Sequence, residues 1–269
     1  MMRASLGSWL LLICSGALVS ASGILEVDLL FPRNETYAPT EKFPIVFAIQ
    51  NAELAPLVDL SVSFDIRDRN HGSEIIHSTT QSTWSNETAT DPFFYYTFRS
   101  DFQTEGHWSI VWTANWKSCN EYASADITNM DRANMMHNSS GAFTIFTTEN
   151  GAPQVDLVAA TANRSCPGEF GVPINVTDHT IPVPTLEDWG NGDVCAVVES
   201  SPTLTPDPCR VNLTPATVES MEADFRCRGV DRPEDCSPDE EGAAQKVAVI
   251  GMSSVLAAFG AAGLMVMHI

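Results

Sequence analysis

The first half of the chain alternates apolar and polar residues with a period of two. In Ile24–Phe31 the odd positions are apolar, while Glu26 and Asp28 lie on the other side. Leu60–Arg67 shows the same alternation, with the apolar residues at even positions. Such alternation over a whole segment is typical of an antiparallel strand with one buried face. The pattern predicts two strands, with Glu26 and Asp28 facing away from the core.

Three further segments predict strands of a more buried kind. Phe43–Gln50 is apolar on both faces, and its Pro44 stands at the start, where a strand tolerates proline. The aromatic run Phe93–Phe98 favours a central strand, because aromatic side chains pack well on a buried pleated surface. Gly141–Thr148 predicts another strand, and the turn signal Asn150-Gly151 follows it.

The tryptophan-rich segment from His107 to Trp116 needs a choice between helix and strand. Its tryptophans recur every fourth residue, as on a helix face, but Ile110 and Ala114 fill the even positions between them. Residues two apart lie about 200° apart around a helix but on one face of a strand. The segment is therefore predicted to be a strand, with Trp112 in the core.

These segments together predict an all-β fold. Seven or so strands within about 125 residues indicate an immunoglobulin-like antiparallel β-sandwich over residues 24–150. Residues 151–236 are richer in cysteine, proline and turns, and are predicted to be a disulfide-rich, loop-rich C-terminal region packed on or extending the sandwich. Within that region we expect strands at Gln154–Ala160 and Val194–Val198, and a short helix at Thr217–Phe225.

The N-terminus has the pattern of an export signal. Arg3 precedes an apolar run from Trp9 to Val19, and small residues follow that run. This order of a charged segment, a short apolar segment and a small-residue cleavage site predicts a signal peptide over residues 1–21.

The C-terminus has the pattern of a membrane-attachment signal. Residues 237–246 are predicted to be an acidic stalk with the attachment site at Gly242, and residues 247–269 an apolar tail. Small residues, a spacer and a terminal apolar tail indicate a GPI anchor. A retained single span at Val247–Met267 is the alternative, since its length is sufficient, although no basic flank follows it.

Cysteine and asparagine usage supports export. Of 7 cysteines, Cys14 falls in the predicted signal peptide, and the remaining even set favours three disulfides whose pairing the sequence leaves open. These cysteines are Cys119, Cys166, Cys195, Cys209, Cys227 and Cys236. N-x-S/T sequons predict glycosylation of the chain. They stand at Asn34, Asn86, Asn138, Asn163, Asn175 and Asn212.

Composition excludes some partners. The chain has 14 basic and 34 acidic side chains, a formal net charge of -20. Such a charge repels nucleic acid and anionic lipid surfaces, so we expect no nucleic-acid partner. The simplest interpretation of this acidity is solubility outside the cell. We expect the protein to be attached to the membrane only through the GPI anchor or the alternative C-terminal span.

One block of the sequence resembles a known family. Leu25–Pro39, followed by Phe43–Asn51, is similar to a family of secreted ascomycete fungal proteins built on a domain of unknown function, and the stretch from Tyr37 to Phe47 is the most specific part. The likeness extends over roughly Gly23–Cys236. It implies a signal peptide, cysteines in the C-terminal half, a GPI-type tail and a cell-surface or cell-wall setting, and it implies no catalytic residues.

The usual catalytic motifs are missing from the sequence, which argues against an enzyme. The acids Glu187, Asp188 and Asp193 are the most site-like group, but such clusters arise by chance in so acidic a chain. The cluster Asn129–His137 carries Cu(I)-type ligand atoms on its methionines and its histidine, but adjacent Met135 and Met136 have no ligand spacing, and a mobile or loosely helical loop is the simpler interpretation. We therefore expect no catalytic residue, no metal and no cofactor.

Aromatic residues suggest a second function. Exposed rings bind the apolar faces of sugars, and Trp84 and Trp116 are the best candidates for such contacts. The sequence thus predicts a non-enzymatic fungal surface or wall glycoprotein with a structural, adhesive or recognition role. Its expected partners are wall polysaccharide or other surface glycoproteins. The alternatives are a carbohydrate-binding module and, less favoured, a glycoside hydrolase.

Overall fold

The described strands form two β-sheets that face each other. The computed structural model describes residues 22–82, 91–119, 135–162, 170–182, 194–199, 204–227 and 236. The strands are β1 (Gly23–Phe31), β2 (Thr36–Tyr37), β3 (Phe43–Gln50), β4 (Ser61–Asp68), β5 (Glu74–Gln81), β6 (Phe93–Arg99), β7 (Gly106–Cys119), β8 (Met135–Thr148), β9 (Gly171–Pro182) and β10 (Val194–Val198). The helices among the described residues are α1 (Leu157–Thr161), α2 (Pro215–Cys227) and the 3₁₀ helices Ala52–Val58 and Pro208–Arg210.

Each sheet has five strands. The first sheet has the order β10-β9-β1-β3-β6, and the second has the order β2-β8-β7-β4-β5. Neighbours pair antiparallel, with β2 adding a short parallel pairing to β8. The predicted all-β sandwich is confirmed. The predicted strands in the first 150 residues correspond to β1, β3, β4, β6, β7 and β8.

Aromatic side chains fill the space between the sheets. Phe47 on β3 meets Trp112 on β7 edge to face, with 5.6 Å between the ring centroids. Trp112 is 1% exposed, which confirms its predicted place in the core. Nearer the other end of the sandwich, Phe43 stacks on Phe146 at 4.9 Å and contacts Phe102 at 4.7 Å. Such pairs add about 0.5–1.5 kcal/mol each beyond the area they bury.

Two strands, β5 and β9, are not predicted by the periodicity of the sequence. β5 lies at the edge of the second sheet, and its side chains are mostly exposed, so no apolar face marks it. β9 contains Pro173, which cannot donate a backbone hydrogen bond. Pro173 is tolerated because the described pairing of β10 begins only at Val176, so β9 pairs with β1 alone at this point.

The prediction of a strand at Gln154–Ala160 is wrong. The chain forms α1 there, because Asp156 caps the helix: its Oδ1 accepts a hydrogen bond from the backbone N–H of Ala159 at 2.9 Å. The predicted helix at Thr217–Phe225 is confirmed as α2, and the predicted strand at Val194–Val198 is confirmed as β10.

The sequence favoured a central position for the aromatic strand β6, but this strand lies at the edge of the first sheet. Its outward-facing rings are buried because α2 packs over them. Phe98 and Phe225 approach to 4.9 Å between ring centroids, and the Tyr96 hydroxyl donates a hydrogen bond to Asp224 Oδ2. Helix α2 therefore covers the outer face of this edge strand.

The C-terminal region completes the sandwich. β9 and β10 extend the first sheet, while α2 and the 3₁₀ helix Pro208–Arg210 lie on the outer face of that sheet. A disulfide between Cys119 on β7 and Cys195 on β10 joins the two sheets across 76 residues of sequence. A disulfide typically contributes about 2–4 kcal/mol to stability.

Candidate functional site

Trp116 lies on β7 where the inner face of the second sheet approaches solvent. It is half-buried, and its indole packs against the hydrophobic core. Its Nε1 is buried and has no hydrogen-bond partner. Of the two tryptophans predicted to contact sugar, Trp116 thus presents part of its ring to the surface, and Trp84 lies outside the described residues.

Trp116 helps to line a surface depression of about 360 Å³. Lys117 and Asp59 line it and form an ion pair with each other. The remaining lining is hydroxyl, amide and imidazole: Ser61, Ser82, Asn115, His137, Asn138 and Ser139. One aromatic face among hydroxyl and amide groups has the composition of a sugar site, and the volume is at the lower end of the ~300–1,000 Å³ typical of ligand pockets.

Within the part of the chain that the structure describes, the aromatic run of β6 and Trp108 do not form a binding platform. Phe93, Phe94 and Trp108 are at most 5% exposed and belong to the core. The exposed ring that the sequence did not single out is Phe143, which is 61% exposed on the outer face of the second sheet, opposite Val111. Strand alternation could have found it, because its neighbours Thr144 and Ala142 share the face of the core tryptophans.

A second group of functional interest is a pair of buried acids on β1. Glu26 is 4% exposed and Asp28 is fully buried, and as residues two apart on a strand they share one face. They do face away from the inter-sheet core, as predicted, but the C-terminal region covers them. The backbone N–H of Asp207 donates a hydrogen bond to Glu26 Oε1 at 2.6 Å.

Gln50 and Arg210 complete this acid cluster. Gln50 Nε2 donates a hydrogen bond to Asp28 Oδ2 at 2.6 Å, and Arg210 Nε donates to Gln50 Oε1. The glutamine thus links a buried carboxyl on β1 to a cation in the C-terminal region. These side chains come from positions far apart in the sequence, so no local motif could have predicted the cluster.

Burial is the main reason why the pKa of Asp28 is raised to about 8. The neighbouring charge of Glu26 adds to the effect, and the Gln50 hydrogen bond and the Arg210 charge oppose it. Asp28 is therefore protonated at neutral pH. In this form its carboxyl group can donate a hydrogen bond to the neighbouring Glu26 carboxyl, and this hydrogen bond also raises the pKa of Asp28.

The acid pair is sealed against substrates. Gly171 and Pro206 lie over it, and a Cβ at Gly171 would come within 2.7 Å of Asp28 Oδ1. A depression of about 320 Å³ nearby is lined by Gln50 and Arg210, but neither acid lines it. Hydrolysis by paired acids needs both carboxyls in contact with substrate. The cluster instead connects β1 to the C-terminal region through hydrogen bonds.

The described cysteines are bonded. Besides Cys119–Cys195, the structure contains the bridge Cys227–Cys236, which joins the last residue of α2 to a cysteine 9 positions further along the chain. Cys209 is also disulfide-bonded, and Cys166 lies outside the described residues. The Cys119–Cys195 bridge is fully buried in a small apolar cluster with Met135, Ile181 and Val197, which excludes reductant from it.

The sequons fall into three groups. Asn34 and Asn212 are exposed outside the strands. Asn138 and Asn175 are half-buried on β8 and β9. The other two sequons and the predicted anchor position lie outside the described residues, and so do the acids proposed as a hydrolase group: Asn86, Asn163, Gly242, Glu187, Asp188 and Asp193.

The expectation of a loop at Met135–His137 is wrong, because β8 begins at Met135 and pairs there with Cys119. Successive strand residues point to opposite faces, so Met136 is directed away from Met135 and His137. Within the described ranges no group of three His, Cys, Asp or Glu side chains is arranged to hold a metal ion. No helix among the described residues has both the length and the apolar character to cross a membrane.

Comparison with known proteins places the chain in a family. No curated protein matches it. Residues 20–238 match the family described as a domain of unknown function (DUF7136), a match that includes both sheets, the acid cluster and the Trp116 depression. Because this match covers most of the chain, the protein belongs to the family defined by the domain of unknown function DUF7136.

Proposed function

We propose that this protein is an exported, non-enzymatic glycoprotein of the fungal cell surface or cell wall, held by a GPI anchor, with a structural, adhesive or recognition role. The observation that carries the proposal is the buried Cys119–Cys195 bridge between the sheets. Disulfides of this kind form in oxidising compartments, that is, on export. The N-terminal export pattern and the exposed sequons Asn34 and Asn212 support the same route.

The non-enzymatic part of the proposal is supported by the acid cluster. Its two carboxyls are a close pair of acids among the described residues, as a hydrolase would need, yet Gly171 and Pro206 separate them from the surface. The fungal setting is supported by the resemblance of the block around Tyr37–Phe47. In this structure Tyr37 packs between Phe31 and Phe43 at 4.9 and 5.6 Å, so the block that carries the resemblance is part of the core.

The attachment is tested by expressing the full chain, tagged after the signal peptide, in a filamentous fungus. Treatment of intact cells with a GPI-specific phospholipase is expected to release the protein. Retention on the cells after this treatment, with release only by detergent, would instead support a transmembrane span. A reduced, cytosolic protein without glycans would refute the proposal as a whole.

A second function, binding of carbohydrate, is favoured by the depression at Trp116. We would measure retention of the secreted protein on insoluble β-glucan and chitin. Trp116→Leu keeps apolar bulk against the core but removes the flat ring, so it abolishes any retention that depends on an open depression at Trp116. Phe143→Ser removes an exposed ring from the opposite face of the same sheet and serves as the matched control. Equal retention of all three proteins would exclude this function.

A further inference from the structure

Trp116 and the sequon asparagine Asn138 are direct neighbours across two strands. The antiparallel register of β7 and β8 places Trp116 opposite Asn138, and Ala114 opposite Ser140. Residues opposite each other in such a ladder point to the same face, with Cβ atoms about 4.5–5.5 Å apart. Asn138, Ser139 and Ser140 together form the sequon. A glycan on Asn138 therefore begins beside the indole ring.

The surroundings of Asn138 leave room for a sugar. Asn138 and Ser139 line the same depression of about 360 Å³ as Trp116. Asn138 Nδ2 donates to Ser118 Oγ at 3.2 Å and to the Met136 carbonyl at 3.4 Å. An N-glycosidic bond replaces one of the two amide hydrogens, so the other can keep one of these hydrogen bonds and hold the linkage in place.

The chemistry of the depression matches the first sugar of an N-glycan. The C–H face of N-acetylglucosamine is apolar and stacks on an indole, while its hydroxyl and acetamide groups need hydrogen-bond partners. Ser61, Asn115 and the Lys117–Asp59 ion pair line the same depression. The register places Ser61, Asn115 and Lys117 on the other face of the sheet from Trp116, so they can bind the outward-facing groups of the sugar at the rim of the depression. Stacking would also cover the exposed part of Trp116, an apolar surface that otherwise faces water.

The other described sequons lack this arrangement. Asn34 and Asn212 lie outside the strands and have no cross-strand neighbour. Asn175 on β9 is opposite Ile24, and its Nδ2 donates a hydrogen bond to Glu199 at 2.8 Å. Within the described residues, Asn138 is thus the sequon whose glycan starts against an aromatic ring.

We propose that the glycan on Asn138 occupies the depression and stacks on Trp116, so that the first N-acetylglucosamine acts as a structural part of the sandwich end. The inference rests on the proposed export, because glycan transfer takes place on exported chains. Transfer from a lipid-pyrophosphate-linked oligosaccharide joins Asn138 Nδ2 to the anomeric carbon. It breaks the bond from that carbon to the pyrophosphate and releases one amide proton. The occupant of the depression is then the protein's own glycan rather than wall polysaccharide.

The test is a cycle of two substitutions in the full chain secreted from a glycosylating eukaryotic host. Ser140→Ala abolishes the sequon without changing Asn138 or Trp116, and Ser140 is exposed. Trp116→Leu removes the ring. Ser140→Ala is expected to lower the Tm by about 2–4 °C in the wild-type background, the shift expected for one stacking contact in a protein of this size. In the Trp116→Leu background it is expected to have no effect.

Mass spectrometry of glycopeptides and NMR of the attached sugar complete the experiment. Protons of the Asn138-linked N-acetylglucosamine should shift upfield from the indole ring current, and this shift decides the question if Trp116→Leu is not secreted. Asn34→Gln, which removes an exposed sequon, is the control and should leave the effect of Trp116→Leu unchanged.

Two results would overturn the inference alone: equal Tm losses on Ser140→Ala with and without Trp116, or an unmodified Asn138 while other sequons carry glycans. A protein without any glycan would overturn the proposed export as well. Retention of fully glycosylated protein on β-glucan through Trp116 would also contradict an occupied depression.

Discussion

Replacing Asp28 by asparagine tests whether the buried carboxyl on β1 carries a proton at neutral pH. Asparagine is nearly the same size, can accept the hydrogen bond from Gln50 Nε2, and can donate to Glu26 as the protonated acid does. It does not titrate. Any pH-dependent difference in the free energy of unfolding between the two proteins therefore comes from the Asp28 carboxyl and the groups coupled to it.

The sign of the effect follows from the direction of the shift. The pKa of Asp28 rises from 3.8 to about 8 on folding, so between these values the folded protein holds a proton that the unfolded chain has lost. The contribution of this group to stability is then greatest at acid pH and falls by about 1.4 kcal/mol per pH unit as the pH rises. Between about pH 5 and pH 7.5 the wild type should lose roughly 3 kcal/mol that the variant keeps.

The assay is urea unfolding followed by intrinsic fluorescence at several pH values in that window. The difference in stability between Asp28→Asn and the wild type is expected to grow steadily in favour of the variant as the pH rises. Asp178→Asn, which removes an exposed carboxylate from the neighbouring strand β9, controls for the loss of one negative charge. A constant difference between Asp28→Asn and wild type across the window would refute a protonated Asp28.

Two further substitutions test how the C-terminal region is held. Gly171→Ala brings a Cβ within 2.6 Å of Pro206 and 2.7 Å of Asp28, so it should lower the free energy of unfolding by about 1–3 kcal/mol, measured by urea unfolding. Gly23→Ala is the control, because its Cβ has its nearest contact at 3.6 Å and should cost little. Equal losses of stability in the two variants would contradict the close packing of Gly171 and Pro206 over the acid pair. Replacing Cys119 and Cys195 together by serine should cost about 2–4 kcal/mol. Because the bridge is fully buried, thiol trapping with mass spectrometry should find it intact in mild reductant until the protein unfolds, and rapid reduction of the native protein would contradict its burial.

Local sequence patterns determined most of the sandwich. The alternation in Ile24–Phe31 and Leu60–Arg67 is enough to predict β1 and β4, and the even positions around Trp112 are enough to choose a strand over a helix. The physical reason is that a strand with one buried face repeats every two residues, and this signal does not depend on the rest of the fold.

Periodicity does not reveal what packs against the outer face of a strand. The surroundings of Glu26 and Asp28 were determined by the tertiary structure. Glu26 and Asp28 point away from the inter-sheet core, as the pattern requires, but Gly171 and Pro206, which lie far along the chain, pack over them and bury them. The raised pKa of Asp28 is a consequence of that burial. The partner of Cys119 and the neighbours of Trp116 depend in the same way on strand order and register. Such contacts between distant segments exist only once the two sheets have paired and the C-terminal region has closed over the first of them.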